Sequence, residues 1–285
     1  MLMGEIETMV IEGGRPSATE IGQRYLDLLK RTLTRSLGDD SFSSVPPNNR
    51  TALKRLRFTC YAALNRVLKP LNLAVAQTNR ATGETMMGLG ALNNLHACLD
   101  DIIADGIPGD VMEAGVWRGG GCIFIRAHLL VHGAINRKVW VADSFEGLPK
   151  PSGRFEADAN DNLWQSEYLA VSEEAVRNNF RKYDLLDDQV VFLKGFFSDT
   201  MPTAPIERLA LLRLDGDMYE STYVVLKHLY DRLSLGGYVI IDDYGMVDGC
   251  DKAIHDFRRE HNIAEELKII GSVSGKPLGA YWRKG

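Results

Sequence analysis

The stretch from Leu211 to Tyr244, LLRLDGDMYESTYVVLKHLYDRLSLGGYVIIDDY, constrains this chain more than any other. An apolar run ends in Asp215 and a helical pattern follows. After Gly236-Gly237 a second apolar run ends in Asp242-Asp243. Such a strand–helix–strand crossover brings both strand ends to one edge of a parallel sheet. Residues 27 positions apart in the chain then become neighbours in space. Open α/β sheets bind ligands at that carboxyl edge. Three carboxylates gathered there repel one another unless a cation joins them. An all-oxygen donor set suits a hard ion, Mg²⁺ or Mn²⁺, better than Zn²⁺. The first expectation is therefore a divalent-metal site built from Asp215, Asp242 and Asp243.

The helix between the two strands is supported by Tyr219, Tyr223, Leu226, Leu229, Tyr230 and Leu233, which recur at three- and four-residue spacing. Asp217 can cap that helix, with Glu220 three residues on as in a capping box, or it can belong to the site. Both roles stay open on the pattern alone. A solvated turn at Asp242-Asp243 is the plain alternative, since any strand must end somewhere.

At 285 residues the chain can hold one large α/β domain and an appendage. A net charge of −5 argues against nucleic acid as the main partner. No apolar run reaches the ~18 residues of a membrane span, and the early Glu5, Glu7 and Glu12 do not fit a signal peptide. Cys60, Cys98, Cys122 and Cys250 lack metal-ligand spacing and fit reduced thiols in a cytoplasmic protein. The six histidines are read as packing or surface residues, none of them paired at ligand spacing.

In chain order, residues 1–18 read as a flexible start and Ala18–Ser36 as a helix with Ile21, Tyr25, Leu28, Leu29 and Leu33 on one stripe. Arg50–Leu73 reads as a second helical region, and from Arg50 to Arg80 there are seven basic residues and no acidic one. That run is a solvated face or a surface for an anionic partner, a membrane or a phosphorylated substrate. Thr82–Asp105 is a third helical pattern. Residues 1–105 thus form an N-terminal helical appendage, a candidate for self-association and for an acceptor pocket, and residues 106–285 form the α/β domain.

Within that domain, strands are expected at Asp110–Val116, Val139–Asp143, Gln189–Leu193, Leu209–Asp215 and Tyr238–Asp243. Helices are expected at Ser172–Tyr183 and Cys250–His261, and Leu267–Ile270 with Leu278–Trp282 closes the chain as a hairpin. The turn Trp117-Arg118-Gly119-Gly120-Gly121 fails the dinucleotide fingerprint, because the third place after Gly115 is Trp117. Glu113-x-Gly115-x-x-x-Gly119 instead fits the looser form seen in S-adenosylmethionine enzymes. Asp143 ends the next strand, where nucleotide-binding folds grip ribose hydroxyls. Ser144–Ala170 is long and irregular, as a lid or binding loop is. The turn at Lys194-Gly195-Phe196-Phe197 could set an aromatic ring against a base.

VMEAGVWRGG (Val111–Gly120), VADSF (Val141–Phe145), LDGD (Leu214–Asp217) and IDDY (Ile241–Tyr244) together resemble the macrocin O-methyltransferase (TylF-type) family. TMPTAP (Thr200–Pro205) and TMMGL (Thr85–Leu89) are similar to further segments of it. The resemblance covers about Thr85 to Trp282. It implies a class I methyltransferase fold, a Rossmann-like, mostly parallel sheet with an antiparallel last strand. It also implies dependence on S-adenosylmethionine and Mg²⁺, and transfer to hydroxyls, mostly of antibiotic deoxysugars. Carried over by motif, Asp215, Asp242 and Asp243 would bind the metal and Asp215 would also be the general base. Thr85, Met86, Glu113, Gly115, Val116, Trp117, Arg118, Asp143, Ser144, Gly195 and Phe196 would face the cofactor. The partner implied is a small glycosylated or polyhydroxylated acceptor, with catechol-type phenols as the alternative, since a metal chelates any vicinal diol. Residues 50–75 have no counterpart in this resemblance. A nicotinamide oxidoreductase is disfavoured by the broken glycine fingerprint, and a non-catalytic S-adenosylmethionine- or sugar-binding protein by the retained acids.

Overall fold

The computed structural model describes residues 17–37, 83–273, 276–277 and 279–285. The readings of residues 1–16, of the Arg50–Leu73 helix and of the basic run lie outside these residues. The described chain forms α1 (Ala18–Leu33), α2 (Leu89–Ala104), β1 (Asp110–Ala114), α3 (Gly120–Val131) and β2 (Val139–Asp143). Then come α4 (Glu173–Lys182), β3 (Val190–Lys194), β4 (Leu209–Leu214), α5 (Tyr219–Leu229), β5 (Leu233–Ile241) and α6 (Asp248–Glu260). Four short strands close it, β6 (Lys268–Ile269), β7 (Ser272–Val273), β8 (Lys276–Pro277) and β9 (Ala280–Arg283).

Seven strands make one sheet in the order β3-β2-β1-β4-β5-β9-β6. The first five are parallel, and β9 runs antiparallel to both β5 and β6. The strands are apolar on both faces because helices cover both. Val111, Val139, Val141 and Leu211 pack towards α1, α2, α3 and α4. Met112, Trp140, Leu212 and Val239 alternate to the other face, against α5 and α6. The described part of residues 1–105 does not stand apart from this domain. Leu26, Leu29 and Leu33 of α1 and Leu92, Leu95 and Leu99 of α2 join the same core as the sheet.

Two elements differ from expectation for local reasons. α2 begins at Leu89, seven residues after the predicted start, with Gly88 extended before it. The Thr85 hydroxyl accepts the Met87 N–H at 3.1 Å, a local bond that competes with helix formation. β5 begins at Leu233 and passes through Gly236-Gly237. The register against β4 shifts there, and Gly236 at φ +80 makes the bulge that an L side chain would strain. α1 starts on a capping box that composition did not flag: Ser17 Oγ accepts from Glu20 N–H, and Glu20 accepts from Ser17 N–H.

The histidine reading needs correction. His128 and His132 lie four residues apart on one helical stretch, and the fold brings both to Asp100, with His96 on the same carboxylate. The helix spacing was present in the sequence, but the shared carboxylate on another helix was not. No described helix is long and apolar enough to cross a membrane.

β9 holds Trp282 fully buried between β5 and α6, against Tyr230 and under Arg258. Trp282→Ala removes that ring with little room for collapse, so it should cost about 3–5 kcal/mol of stability. Urea denaturation should show it as a lower midpoint with an unchanged slope.

Candidate active site

The strand order turns at β1, which has β2 on one side and β4 on the other. Doubly wound sheets open a crevice at such a switch point, outside the carboxyl ends. A cavity of about 250 Å³ lies there, walled by residues just beyond β1, β2, β3 and β4. Of the predicted cofactor residues, Met86, Gly115, Trp117, Asp143, Ser144 and Phe196 line it. Thr85, Glu113, Val116, Arg118 and Gly195 are not among its lining residues.

The turn after β1 is shaped by close backbone approach. Gly115 has φ +90, and a Cβ there would stand 1.7 Å from the Asp215 carbonyl oxygen. Trp117 is held at φ 47, an uncommon conformation for a bulky residue, by three contacts. Its indole N–H donates to Tyr168 O at 3.0 Å, Arg118 lies 4.2 Å over its ring, and its amide donates to Asp143. Asp143 is what pins the turn. Its Oδ2 accepts from Val116 and Trp117 N–H, and its Oδ1 from Phe145 N–H. A ribose hydroxyl at Asp143 would share acceptor sites that the chain already uses.

Glu113 sits at the buried end of the network, only 2% exposed. It pairs in register with Arg213 on β4, accepts from the Arg213 guanidinium and from Cys122 Sγ at 2.9 Å, and backs the turn from below. Burial nonetheless raises its pKa. Arg213, which sequence reasoning missed, also donates to Asp215 Oδ2 at 3.1 Å and to Asp242 Oδ1. Its signal was present as a single charge inside the apolar strand LALLRL.

Asp215, Asp242 and Asp243 do converge. One oxygen from each lies within 4.8 Å of the others. Burial, then repulsion from Asp242, pushes the Asp215 carboxyl well above the usual range. Burial and Asp217 do the same to Asp243. Asp217 is raised to about 7, by burial and then by Asp215. Glu113 and these three clustered acids face one guanidinium, so the cluster is short of positive charge and its donor set fits a divalent cation.

Asp217 does not cap α5. It has φ 56, lines the cavity, and donates its N–H to Asp243 at 2.9 Å. The cap comes from the loop instead. Asp158 accepts Tyr219 N–H at 2.7 Å and Glu220 N–H at 2.9 Å, and is itself buried. The Ser144–Ala170 loop is thus fastened to α5 by Asp158 and to the glycine turn by Tyr168, and its Leu148, Pro149 and Leu169 wall the cavity. No local pattern near Asp158 announces a cap for a helix 61 residues away.

The macrocin O-methyltransferase (TylF) model matches residues 22–284. The chain belongs to that family. Mycinamicin III 3''-O-methyltransferase of Micromonospora griseorubida is 44% identical over 271 residues, 91% of this chain and 96% of its own length. The 8-demethyl-8-(2,3-dimethoxy-alpha-L-rhamnosyl)-tetracenomycin-C 4'-O-methyltransferase of Streptomyces olivaceus is 50% identical over 205 residues, 71% of this chain and 76% of its own length. The structure of the O-methyltransferase NovP superposes with a TM-score of 0.75 at 40% identity, covering 92% of this chain and 99% of that one. This member of the macrocin O-methyltransferase family is an S-adenosylmethionine-dependent methyltransferase, and its fold is the class I architecture expected from its motifs.

Removing Arg213 strands Glu113 as a buried, unpaired carboxylate. Arg213→Met should therefore destabilise the protein by about 3–5 kcal/mol. Arg213→Met with Glu113→Gln should recover part of that loss in a double-mutant cycle read by chemical denaturation. Additive losses would mean that the pair is not coupled.

Proposed function

We propose that this methyltransferase transfers a methyl group to a hydroxyl of a sugar on a small glycosylated natural product, with Mg²⁺ held by Asp215, Asp242 and Asp243. The observation that carries the proposal is the carboxylate cluster at the carboxyl edge, with Asp215 reaching the cavity beside the glycine turn. Two relatives support the acceptor class, since one is named for 3''-O-methylation of mycinamicin III and the other for 4'-O-methylation of a rhamnosyl tetracenomycin. The cavity walls are largely apolar, as a bulky aglycone requires, and Lys150, Ser152 and Glu220 offer polar contacts at one end.

When bound, the cofactor supplies an electrophilic methyl group on a sulfonium, and the divalent ion lowers the pKa of a hydroxyl oxygen. The protein's own residues do the rest. Gly115, Trp117, Ser144, Phe196 and Met86, which line the cavity, would hold the nucleoside, with Asp143 fixing the turn. Thr85, Glu113, Val116, Arg118 and Gly195 shape the wall behind them. Arg213 grips Asp215 through Oδ2 and so sets the direction of the other oxygen. Asp215 accepts the proton from the acceptor hydroxyl as general base. The Ser144–Ala170 loop excludes water, and alignment of acceptor and methyl group supplies much of the barrier reduction. α1 exposes Ile21, Tyr25 and Leu28 on one stripe, which supports a homo-oligomer.

Asp215→Asn should abolish turnover and weaken Mg²⁺ binding, while S-adenosylhomocysteine affinity stays within about threefold by calorimetry. Near-normal methyl transfer by that variant would refute the assignment. In the metal-stripped protein, titration first with S-adenosylhomocysteine and then with Mg²⁺ should show both binding. The second signal should vanish in Asp242→Asn.

A further inference from the structure

A second set of ligating side chains lies away from the cavity, where α2 packs on α3. His96 and Asp100 are one turn apart on α2, and His128 and His132 are one turn apart at the end of α3. Gly120, at the cavity end of α3, is eight residues from His128, or about 12 Å along the helix axis. Asp100 Oδ1 stands 2.8 Å from His128 Nε2 and 3.6 Å from His132 Nε2. Asp100 Oδ2 stands 3.6 Å from His96 Nε2. Ligand atoms of His96, Asp100 and His128 all lie within 4.8 Å of one another.

Two of these contacts are too long for hydrogen bonds, so Asp100 bonds only one of the three imidazoles; His96 Nε2 also stands 3.3 Å from Gln23 Nε2, a partner that a metal ion would displace. In a tetrahedral site with metal–nitrogen distances of 2.0–2.1 Å, neighbouring ligand atoms stand about 3.3 Å apart. The 2.8 and 3.6 Å carboxylate–imidazole separations bracket that edge, and His132, which lies outside the 4.8 Å group, must close on the other two imidazoles to complete it. We propose that His96, Asp100, His128 and His132 bind a borderline transition-metal ion, Zn²⁺ by donor type, as a structural clamp between α2 and α3. Three imidazoles and one carboxylate are the wrong donors for Mg²⁺ and the right ones for Zn²⁺ or Co²⁺. Burial favours the neutral, ligating form of two of them: it lowers His96 and holds His128 down at about 4.

The surroundings set the strength of the site. Lys30 touches the other nitrogen of His96, Nδ1, at 3.1 Å. Ligation through Nε2 puts a proton on Nδ1 and turns Lys30 towards Asp27 and Asn93, which it already contacts at 2.8 Å each. His128 Nδ1 is buried with no partner among the described residues. A missing outer partner weakens a metal site roughly 10- to 100-fold, so binding should be micromolar rather than nanomolar. The clamp joins the helix whose first turn follows the glycine turn to the helix that follows Met86, so it would steady two walls of the cavity from their far ends.

The test uses the full chain carrying Asp242→Asn, stripped of metal, with Co²⁺ as the spectroscopic probe. One equivalent of Co²⁺ should bind in the presence of excess Mg²⁺, give the visible absorption of a tetrahedral nitrogen–oxygen site, and be displaced by Zn²⁺. Adding Asp100→Asn or His132→Gln should weaken Co²⁺ binding at least tenfold. In the otherwise unaltered enzyme, either substitution should leave Mg²⁺-supported methyl transfer intact. Absence of the band, or its survival in both variants, would overturn the proposal. Zn²⁺ should also raise the thermal midpoint of the unaltered protein and of Asp242→Asn alike. No rise in either would overturn the proposal even if the histidine variants failed to fold.

Discussion

Everything at the carboxyl edge depends on one buried guanidinium. Arg213 is 1% exposed and bonded to Glu113, Asp215 and Asp242, so it ties three strands, β1, β4 and the end of β5, through charge as well as through the ladder. A buried ion network gains little net stability over an apolar one, because desolvation offsets the attraction. What it does gain is orientation. A planar fork with fixed N–H directions holds two carboxylates at a set angle, which a lysine ammonium would not do. The network leaves the cluster under-compensated: Asp215 and Asp243, buried and crowded by neighbouring carboxylates, are pushed well above the usual carboxylate range.

Two more carboxylates bind clusters of backbone amides. Asp143 collects the Val116, Trp117 and Phe145 N–H groups, and Asp158 collects those of Tyr219 and Glu220. The first fixes the glycine turn, and the second ties the long loop to the start of α5. Because Tyr168 O takes the Trp117 indole N–H, loop and turn are also tied to each other. The two faces of the cavity are therefore positioned by one connected set of hydrogen bonds that begins at β2.

Much of this was legible because parallel sheets advertise themselves. All five parallel strands fall within a few residues of their apolar runs, and acids at strand ends can only meet at one edge. Asp215, Asp242 and Asp243 could be joined from spacing alone. What stayed hidden depends on contacts between distant segments. The Asp158 cap, the pairing of Glu113 with Arg213 and the grouping of three histidines on Asp100 each need two elements to be placed first. The choice left open at Asp217 turned on a related contact: a local capping pattern was present, but a better-placed carboxylate from the loop took the amides. The late start of α2 turned on a single hydroxyl, Thr85, bonding its own chain.

The long loop is anchored unevenly. Asp158 and Tyr168 hold the distal part of Ser144–Ala170 to α5 and to the glycine turn. Between Ser144 and Asp158, fewer bonds cross to the body: Ser152 Oγ donates to Glu220 at 2.5 Å, an exposed contact. Gly147 at φ +91 and Gly153 at φ +77 bracket that part. Glycines in left-handed conformations are where a backbone can change direction at low steric cost. Residues 147–153, which set Leu148, Pro149, Lys150 and Ser152 on the cavity wall, are therefore bonded to the body of the domain less than the segment from Asp158 to Tyr168, and substitutions among those four side chains leave the bonds of Asp143 and Arg213 untouched.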